Sequence, residues 1–433
     1  MFCMENYDKR IYCFNKMINI AAWDNDFISP CINKAVNNEA VEEIIQMKHQ
    51  YILEKFPCLK KENTQIYRLL ERDYQYSYGL SGELEKKVSD TTYKCLEAYR
   101  TAKKECNFDL VRSQFAELIA IKREELECLY VEGTNTYYKL LNYSCGKLFT
   151  PIIDNIMNII KNEFCSAAKL EKNNLQEYVP LYISIEDYKK LLKKYEVNYK
   201  NVIFQKDITN SCLQLSSEDC RITYTSEVSE NIAKHEIGHI IYMQNISNEL
   251  PYKTYCNPAS QVFDEAIAML YEMMVDGIDE LKYSCLPKNP IRIKCTNIQR
   301  LLHVVLRYEL EKELINGEID ALKINQIWKE RFKEYFGYEI NSDEEGILQD
   351  AHWFCGEFGY FPIYNVAFAL ALVIYYKLGL DRKEYKEIYL TLKKHILQYG
   401  ASKSEEELFN IIGIENFEND FEKYFKSLFF NRN

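Results

Sequence analysis

A short sequence in the middle of the chain carries two histidines and a glutamate at a spacing typical of metal centres. His235, Glu236 and His239 form an H-E-x-x-H motif within a helical stretch over residues 231–244. On a helix, side chains four residues apart project from the same face, so both imidazoles can reach one cation. The glutamate between them would stand beside the cation as a general base. The alternative is a helix with two buried histidines and no metal, but the spacing favours a zinc centre.

A second helical segment supplies the carboxylate that a catalytic zinc site still needs. Such a site uses three protein ligands and one open position for water. Glu265 lies in the segment 262–272, and the connection near residues 251–258 would let the two helices fold back on each other. Two His and one Glu form the ligand set of a zinc peptidase. Spacing alone does not separate Glu265 from Asp264, and Glu272 on the same face either supports a ligand or is solvated.

A third segment, residues 301–311, is apolar almost all round but carries one polar stripe. His303, Arg307 and Glu311 are spaced at i, i+4 and i+8. A polar stripe on a buried helix lines a cavity or makes an internal ion pair. Because arginine suits bidentate capture of a carboxylate, we predict that Arg307 holds the terminal carboxylate of a peptide substrate. An Arg307–Glu311 salt bridge is the alternative.

A fourth segment, residues 346–364, is unusually dense in His, Trp, Tyr and Gly. His352, Tyr360 and Tyr364 carry N–H or O–H groups. Peptide hydrolysis needs such donors where negative charge develops on the carbonyl oxygen. The sequence therefore predicts catalytic donors here, with aromatic core packing as the alternative.

Helices must position most of these residues, because most of the chain has a 3.6-residue hydrophobic period. Residues 110–129 show one apolar stripe and one charged face, and segments 36–57, 147–171 and 383–400 have the same pattern. Only residues 179–225 differ, with short β-type runs separated by Asn, Ser and Asp. We predict a mainly α fold, a single large helical body with a small β hairpin or sheet before the H-E-x-x-H helix.

Composition excludes several classes of protein. The chain has 433 residues, of which 47% are hydrophobic and only 14 are Gly and 9 Pro, which fits a globular helical protein. Its 54 basic and 65 acidic residues give a net charge of −11, the wrong sign for binding nucleic acid or anionic lipid. The longest apolar run, residues 366–376, is too short to span a bilayer.

Cysteine usage indicates a reducing compartment. The 15 cysteines include no C-x-x-C pair, and their number is odd, so we expect buried thiols and no disulfide framework. Near the N-terminus, Glu5 and Asp8 occupy positions where a signal peptide would need an apolar stretch. These features predict a cytoplasmic protein.

Taken together, the motifs resemble those of the carboxypeptidase Taq family of zinc metallocarboxypeptidases, in the family's order. The similarity covers nearly the whole chain. The matching segments are Asp219-Cys-Arg-Ile-Thr223 for D-x-R-x-T, His235 to His239 for H-E-x-x-H, Glu265 at the third ligand, His303 to Glu311 for H-x-x-L-R-[FY]-E-L-E, Gly346 to Trp353 for G-x-x-Q-D-x-H-W, and Phe358-Gly-Tyr-Phe-Pro362, with Ala22-Trp23-Asp24 and Ile121 to Glu125 also similar.

The resemblance implies a mostly helical fold with a deep groove, a homodimer, and release of C-terminal residues from peptides. It implies one domain over residues 1–433, with residues 1–178 forming a groove wall and residues 179–433 forming the zinc-binding catalytic part. One Zn²⁺ per chain is expected, with Co²⁺ as an alternative metal. By position, the implied ligands are His235, His239 and Glu265, the base is Glu236, and the substrate contacts are Arg307, His303 and Arg221.

Four departures from the family pattern concern residues other than the metal ligands. Residues 264–267 read D-E-A-I where H-E-S-Q is common, and H-P-F is absent near residues 209–211. Thr296 and Asn297 replace an acidic pair, and Cys355 replaces a second histidine. All four bear on substrate positioning. Two rival functions are therefore considered: an oligopeptidase of the same zinc clan that cuts internally, and a metal-binding pseudoenzyme that captures peptides without hydrolysing them.

Overall fold

The computed structural model describes residues 3–24, 34–129, 135–170, 182–206, 210–225, 228–275 and 297–429. Helices dominate these residues, which confirms the predicted mainly α fold. The helices are α1 (Met4–Trp23), α2 (Lys34–Lys55), α3 (Gln65–Tyr78), α4 (Gly82–Lys104), α5 (Arg112–Cys128), α6 (Thr136–Ser144), α7 (Gly146–Phe149), α8 (Ile153–Leu170), α9 (Ile185–Lys194), α10 (Glu230–Asn245), α11 (Gln261–Met273), α12 (Asn297–Asn316), α13 (Ile324–Phe336), α14 (Phe361–Lys377), α15 (Tyr385–His395), α16 (Glu405–Ile412) and α17 (Phe417–Phe429).

Short strands between α8 and α10 confirm the predicted small sheet. The strands are β1 (Tyr182–Ile183), β2 (Val202–Lys206), β3 (Ser211–Ser216), β4 (Asp219–Tyr224) and β5 (Val228–Ser229). A three-stranded sheet has the order β2-β4-β3, with β2 parallel and β3 antiparallel to β4. The register places Cys212 opposite Ile222, and an irregularity lies between Gln214 and Ser216. β1 and β5 form a separate antiparallel pair.

The chain divides into two compact units, each assembled from three segments. Unit 1 comprises Met1–Tyr78, Pro180–Ile278 and Leu370–Phe417, and unit 2 comprises Gly79–Val179, Asp279–Ala369 and Glu418–Asn433. Unit 1 thus takes residues from both sides of position 178. The expected functional division at that position stays a prediction.

In unit 1, the sheet and the helix pair α10 and α11 form the part that carries the H-E-x-x-H motif. α10 packs along α11 and also contacts β3. Serines begin both helices: the Oγ of Ser229 accepts a hydrogen bond from the Ile232 N–H at 3.3 Å, and the Oγ of Ser260 accepts one from the Phe263 N–H at 3.3 Å. These N-caps satisfy amide groups that the first turn of a helix leaves without a partner. The start of each helix is therefore fixed locally.

In unit 2, α12 is the helix that carries the predicted polar stripe. It packs against α5, α6, α8 and α13. Most of its apolar side chains are buried, and so are the polar side chains of His303, Arg307 and Glu311. Charged groups on a helix that is buried on all sides need partners that neutralise them. The partners of these three residues therefore determine what the stripe does.

The cysteines correct one expectation. No disulfide joins the 12 cysteines that the structure describes, but only some of their thiols are buried. The buried ones are Cys95, Cys145 and Cys220, whereas Cys3, Cys13, Cys58, Cys106 and Cys128 are exposed. The prediction of buried thiols is wrong for this second group, because composition does not reveal which face of a helix a cysteine occupies. Among the described helices, none is long and apolar enough to cross a membrane.

Candidate metal centre

A close approach between α10 and α11 brings the predicted metal ligands together. Gly238, inside the H-E-x-x-H motif, lies where a Cβ atom would come within 2.6 Å of the Cα of Ala268. Only a glycine fits at that distance, because real Cβ contacts are longer. The two helix backbones can therefore pack tightly enough for a carboxylate on α11 to reach imidazoles on α10. This steric requirement is visible only once the helices are paired.

The donor atoms of His235, His239 and Glu265 form one compact group. The Nε2 atoms of the two imidazoles lie 3.3 Å apart. Glu265 places Oε2 3.4 Å from Nε2 of His235 and Oε1 4.0 Å from Nε2 of His239. One ligand atom from each residue lies within 4.8 Å of the others, and among the described residues no other group of His, Cys, Asp and Glu meets this criterion. The three residues that the sequence selects as ligands are thus brought together.

Two further carboxylates orient the imidazoles. Glu272 places Oε2 2.9 Å from Nδ1 of His235, and Asp264 places Oδ2 3.1 Å from Nδ1 of His239. A carboxylate beside Nδ1 favours a proton on that nitrogen and leaves Nε2 as the atom that can bind a metal ion. This carboxylate–histidine arrangement is the usual outer support of a metal site.

The same contacts separate Asp264 from Glu265, which spacing alone leaves open. Glu265 faces the Nε2 side of the imidazoles, whereas Asp264 lies on the outer side of His239. Gln214, on β3, holds Asp264 in place by donating to its Oδ1 at 3.2 Å, and it also donates to the carbonyl of His239 at 2.8 Å. Sequence reasoning misses Gln214, since its link to the motif depends on how β3 packs against α10.

The carboxylates around His235 and His239 favour a positive charge at this site. Burial lowers the pKa of His235, but hydrogen bonds and charge from Glu265 and Glu272 outweigh it and raise this pKa to about 10. For His239, burial is likewise outweighed by Asp264 and Glu265, which raise the pKa to about 9. Imidazoles gain a proton so readily only where negative charge is in excess. The donor set and its charge therefore fit a bound divalent cation.

Glu236 lies between the two histidines on α10 and is 7% exposed. Burial raises the pKa of its carboxyl group, the two imidazoles act against this shift, and the neighbouring carboxylates add to it. Glu236 is not part of the compact donor group. A buried carboxylate beside a cation, but not bound to it, has the placement that a general base requires.

Arg221, the arginine of the D-x-R-x-T motif, belongs to the same unit. Its guanidinium grips Asp219 through two contacts of 3.0 Å, from Nε to Oδ1 and from an Nη atom to Oδ2. It also lies 5.7 Å from the centroid of the Trp23 ring. The first and third residues of the motif thus form an internal ion pair. The role of Arg221 as a substrate contact stays a prediction.

Unit 2 holds a second buried polar cluster, centred on Arg307. This side chain has no exposed surface, and its Nη2 forms an ion pair with Oδ2 of Asp350. Three aromatic rings surround the guanidinium, with the Cζ atom 4.5 to 4.9 Å from each centroid; the rings are those of Phe361, Trp328 and Trp353. This geometry does not favour the predicted contact between Arg307 and a substrate carboxylate, because its charge is already compensated and shielded.

His303 completes the surroundings of Arg307. Burial and the charge of Arg307 lower the pKa of His303 to about 3, so its ring is neutral. It accepts a hydrogen bond at Nε2 from the Nε–H of Arg307 at 2.9 Å, and Gln349 approaches the same ring nitrogen at 3.0 Å. His303 is 9% exposed. It supports Arg307, and its contact with substrate stays a prediction.

The alternative Arg307–Glu311 salt bridge is not formed. Glu311 instead accepts hydrogen bonds from the Tyr137 hydroxyl at 3.0 Å, from the Trp353 indole at 2.6 Å and from the Gly359 N–H. Burial raises the pKa of Glu311 to about 7, although these donors act in the opposite direction. Glu311 therefore fixes the segment that follows the G-x-x-Q-D-x-H-W motif to α12.

The predicted donors in the fourth segment lie side by side. His352 stacks on Tyr360 at a centroid distance of 5.8 Å, and Tyr360 meets the edge of Tyr364 at 5.4 Å. The side chain of His352 is 30% exposed, so it is neither core nor fully solvated. Cys355 donates from Sγ to the carbonyl of His352 at 3.3 Å, and burial raises the pKa of its thiol to about 12. This thiol is thus directed at the backbone of the donor segment.

Two of the departures from the family pattern fall partly outside the described residues. Thr296 and Thr209 lie outside the described residues, and of Asn297 only the backbone at the start of α12 is described. Ile267, by contrast, is fully buried in α11.

Comparison with known proteins gives the family. A model of the carboxypeptidase Taq (M32) metallopeptidase family matches residues 4–281 and 281–429. The chain belongs to this family. It is therefore a metallocarboxypeptidase that requires a metal ion.

Individual relatives of this M32 chain are distant in sequence. It is 22% identical to carboxypeptidase 1 of Bacillus subtilis, over 87% of this chain and 85% of that protein. It is also 22% identical to thermostable carboxypeptidase 1 of Pyrococcus furiosus, over 88% and 86%. The solved structure of Trypanosoma cruzi metallocarboxypeptidase 1 matches with a TM-score of 0.84 at 21% identity, covering 99% of each chain. The fold is thus retained where most side chains have changed.

Proposed function

We propose that this M32 family member is a zinc-dependent carboxypeptidase that removes C-terminal residues from peptides. The observation that carries the proposal is the facing pair of Nε2 atoms on His235 and His239, with Glu265 beside them and a carboxylate behind each ring. Two imidazoles and one carboxylate form a ligand set of catalytic zinc. We assign these three residues as the ligands, with Co²⁺ as an alternative metal.

When bound, zinc supplies Lewis-acid polarisation of the scissile carbonyl and lowers the pKa of water toward about 7. Glu236 accepts the proton of the attacking water and passes it to the leaving amine. Its burial favours this shuttle, because a desolvated carboxylate takes up a proton more readily than an exposed one.

We also propose catalytic roles for three side chains of unit 2. His352, Tyr360 and Tyr364 form one contiguous group of half-buried donors, and we propose that they donate hydrogen bonds to the substrate during hydrolysis. Arg221 is retained as a proposed substrate contact. One catalytic domain over residues 1–433, a homodimer and a cytoplasmic location also remain proposals.

The metal assignment is tested by pairing Glu265→Ala with a chelator. We expect about one zinc per parent chain, loss of peptidase activity on chelation, and recovery on adding zinc back. Glu265→Ala should purify without metal, because two imidazoles alone hold zinc weakly. Elemental analysis and activity on the same samples give both readings. Metal retained by Glu265→Ala at the parent level would show that the third ligand is misassigned.

Product analysis separates the proposed activity from its two rivals. Free and C-terminally amidated forms of one peptide library are incubated with the enzyme and examined by mass spectrometry. A carboxypeptidase shortens the free peptides one residue at a time and leaves the amidated peptides largely intact. Internal cleavage of both forms would identify an oligopeptidase, and binding without any product would identify a peptide-capturing pseudoenzyme.

A further inference from the structure

The surroundings of Arg307 fix the position of one particular carboxylate. Asp350 is the residue that neutralises the buried guanidinium, through its Oδ2 atom. Three aromatic rings enclose the guanidinium, and its hydrogen bond to His303 anchors the Nε atom. Burial raises the pKa of Asp350, but the charges of Arg307 and His352 outweigh it and lower this pKa to about 2. Asp350 is thus held both in place and in its charged form.

The second oxygen of Asp350 acts on His352. Oδ1 accepts from the backbone N–H of His352 at 3.2 Å and lies 3.3 Å from Nδ1 of its ring. Because a carboxylate only accepts, this contact requires a proton on Nδ1, and a ring that also donates to the substrate from Nε2 carries a proton on each nitrogen. The other ring nitrogen, Nε2, is left toward the partly exposed side, where Oε2 of Glu357 lies 3.8 Å away. The ring is also stacked on Tyr360.

We propose that Arg307 is a positioning residue that orients His352 through Asp350, and that it does not bind the substrate. This inference rests on the proposed function, in which His352 donates to the substrate. One oxygen of Asp350 contacts the buried guanidinium and the other contacts the imidazole, so the carboxylate transmits the fixed geometry of the aromatic cage to a half-exposed ring. The buried arginine therefore affects the reaction only through the orientation of His352.

The two possible roles of Arg307 predict different kinetics. A residue that binds the terminal carboxylate acts on KM and on the preference for free over amidated peptides. A positioning residue acts on kcat, because a misplaced donor weakens stabilisation of the transition state while the substrate still binds. Its effect also depends on His352, since without that imidazole there is nothing to orient.

A double-mutant cycle of Arg307→Met and His352→Gln measures this dependence. Methionine suits the aromatic cage as an apolar side chain and leaves Asp350 in place. We expect Arg307→Met to lower kcat by roughly 10- to 100-fold with KM within about twofold of the parent. In the His352→Gln background, the same change should alter kcat by less than about threefold. Arg331→Met, which removes a partly buried arginine paired with Glu313 elsewhere in unit 2, serves as the matched control.

Arg307→Lys covers the case in which Arg307→Met does not fold. Lysine keeps the charge beside Asp350 but lacks the planar fork, so we expect kcat between those of the parent and a parent carrying Asp350→Asn. The imidazole signals of His352, assigned by their absence in His352→Gln, should shift in Arg307→Lys. Circular dichroism and metal content confirm that each variant is folded and loaded before kinetics are compared.

Several results would overturn the inference. A rise in KM that is confined to free peptides and equal in both backgrounds would assign Arg307 to the substrate carboxylate. An Arg307→Lys variant with unchanged kcat and unchanged His352 signals would also contradict it. Failure of the proposed function has a different signature, because the parent itself would then release no residue from any peptide.

Discussion

The two buried polar clusters of this chain differ in how their charge is balanced. In unit 1, two imidazoles are surrounded by carboxylates, and their raised pKa values register an excess of negative charge. In unit 2, one guanidinium is paired with Asp350, and the nearby Glu311 is satisfied by three donors. The charge of the first cluster fits an added cation, whereas the guanidinium of the second already has a carboxylate partner.

This difference shows what a polar stripe on a buried helix can mean. The histidines of α10 and the stripe of α12 have the same i, i+4 spacing, and both contain groups that bind ligands in other proteins. The spacing of residues does not show whether a charged side chain can bind a ligand or is already paired within the protein. The partners supplied by other segments decide that: in unit 1 they form a group that could hold a metal ion, and in unit 2 they enclose an arginine.

The largest expected effect separates binding from chemistry at the metal centre. Glu236→Gln should retain metal but lose activity by about 10²–10⁴-fold, because the amide cannot accept the proton of water. Metal analysis and turnover measured on one preparation test both parts. A matching loss of metal would contradict the assignment of Glu236 as a base outside the ligand set.

The outer carboxylates should give the next largest effect. Glu272→Gln and Asp264→Asn each remove a negative charge behind one imidazole, so each should lower metal affinity by about 10–100-fold. Competition with a chromophoric chelator measures this affinity. Glu230→Gln is the control, since Glu230 pairs with Lys234 on the same helix and touches neither histidine ring. Equal affinity in all three variants would remove the outer carboxylates from the metal site.

The close helix contact predicts a mixed effect on stability and on the metal. Gly238→Ala forces α10 and α11 apart, so we expect the free energy of unfolding to fall by about 1–3 kcal/mol and metal affinity to fall with it. Gly82→Ala is the control, because a Cβ atom at Gly82 meets nothing within 4 Å. Denaturant unfolding of the metal-free proteins isolates the packing effect. A Gly238→Ala variant as stable as the parent would contradict the proposed steric role.

The smallest effect concerns the closed cluster and depends on pH. The folded state lowers the pKa of Asp350 from 3.8 to about 2, so the stabilisation from its charge is present above about pH 4 and is lost as the pH falls through 2. The Asp350→Asn variant lacks this stabilisation at every pH, because its amide carries no charge. We therefore expect the stability gap between parent and variant to shrink by about 2 kcal/mol between about pH 5 and about pH 2.

Chelator in every sample keeps the metal centre out of this comparison. Unfolding by urea at several pH values gives the gap directly. A gap that stays constant over this range would show that Asp350 is not held in its charged form by Arg307.

The sequence by itself predicted the mainly α fold, the small sheet before the H-E-x-x-H helix and the two histidines of the donor group. It could do so because helical period and i, i+4 spacing are local: they follow from a few consecutive residues and the geometry of one helix. The resemblance to the carboxypeptidase Taq family, now shown by the family match, added Glu265 by position. The sequence left open whether Asp264 or Glu265 faces the cation.

Only the tertiary structure decided which charges are balanced and by what. Asp350 lies 43 positions beyond Arg307, and Gln214 lies 50 positions before Asp264, so no local pattern connects either pair. The contact at Gly238 likewise exists only when α10 and α11 are packed together. Pairing of buried charges is a property of the packed chain, because the cost of an unpaired charge arises only after water has been excluded. That is why the two histidines of the metal centre could be predicted from spacing, while the burial of Arg307 and its ion pair with Asp350 could not.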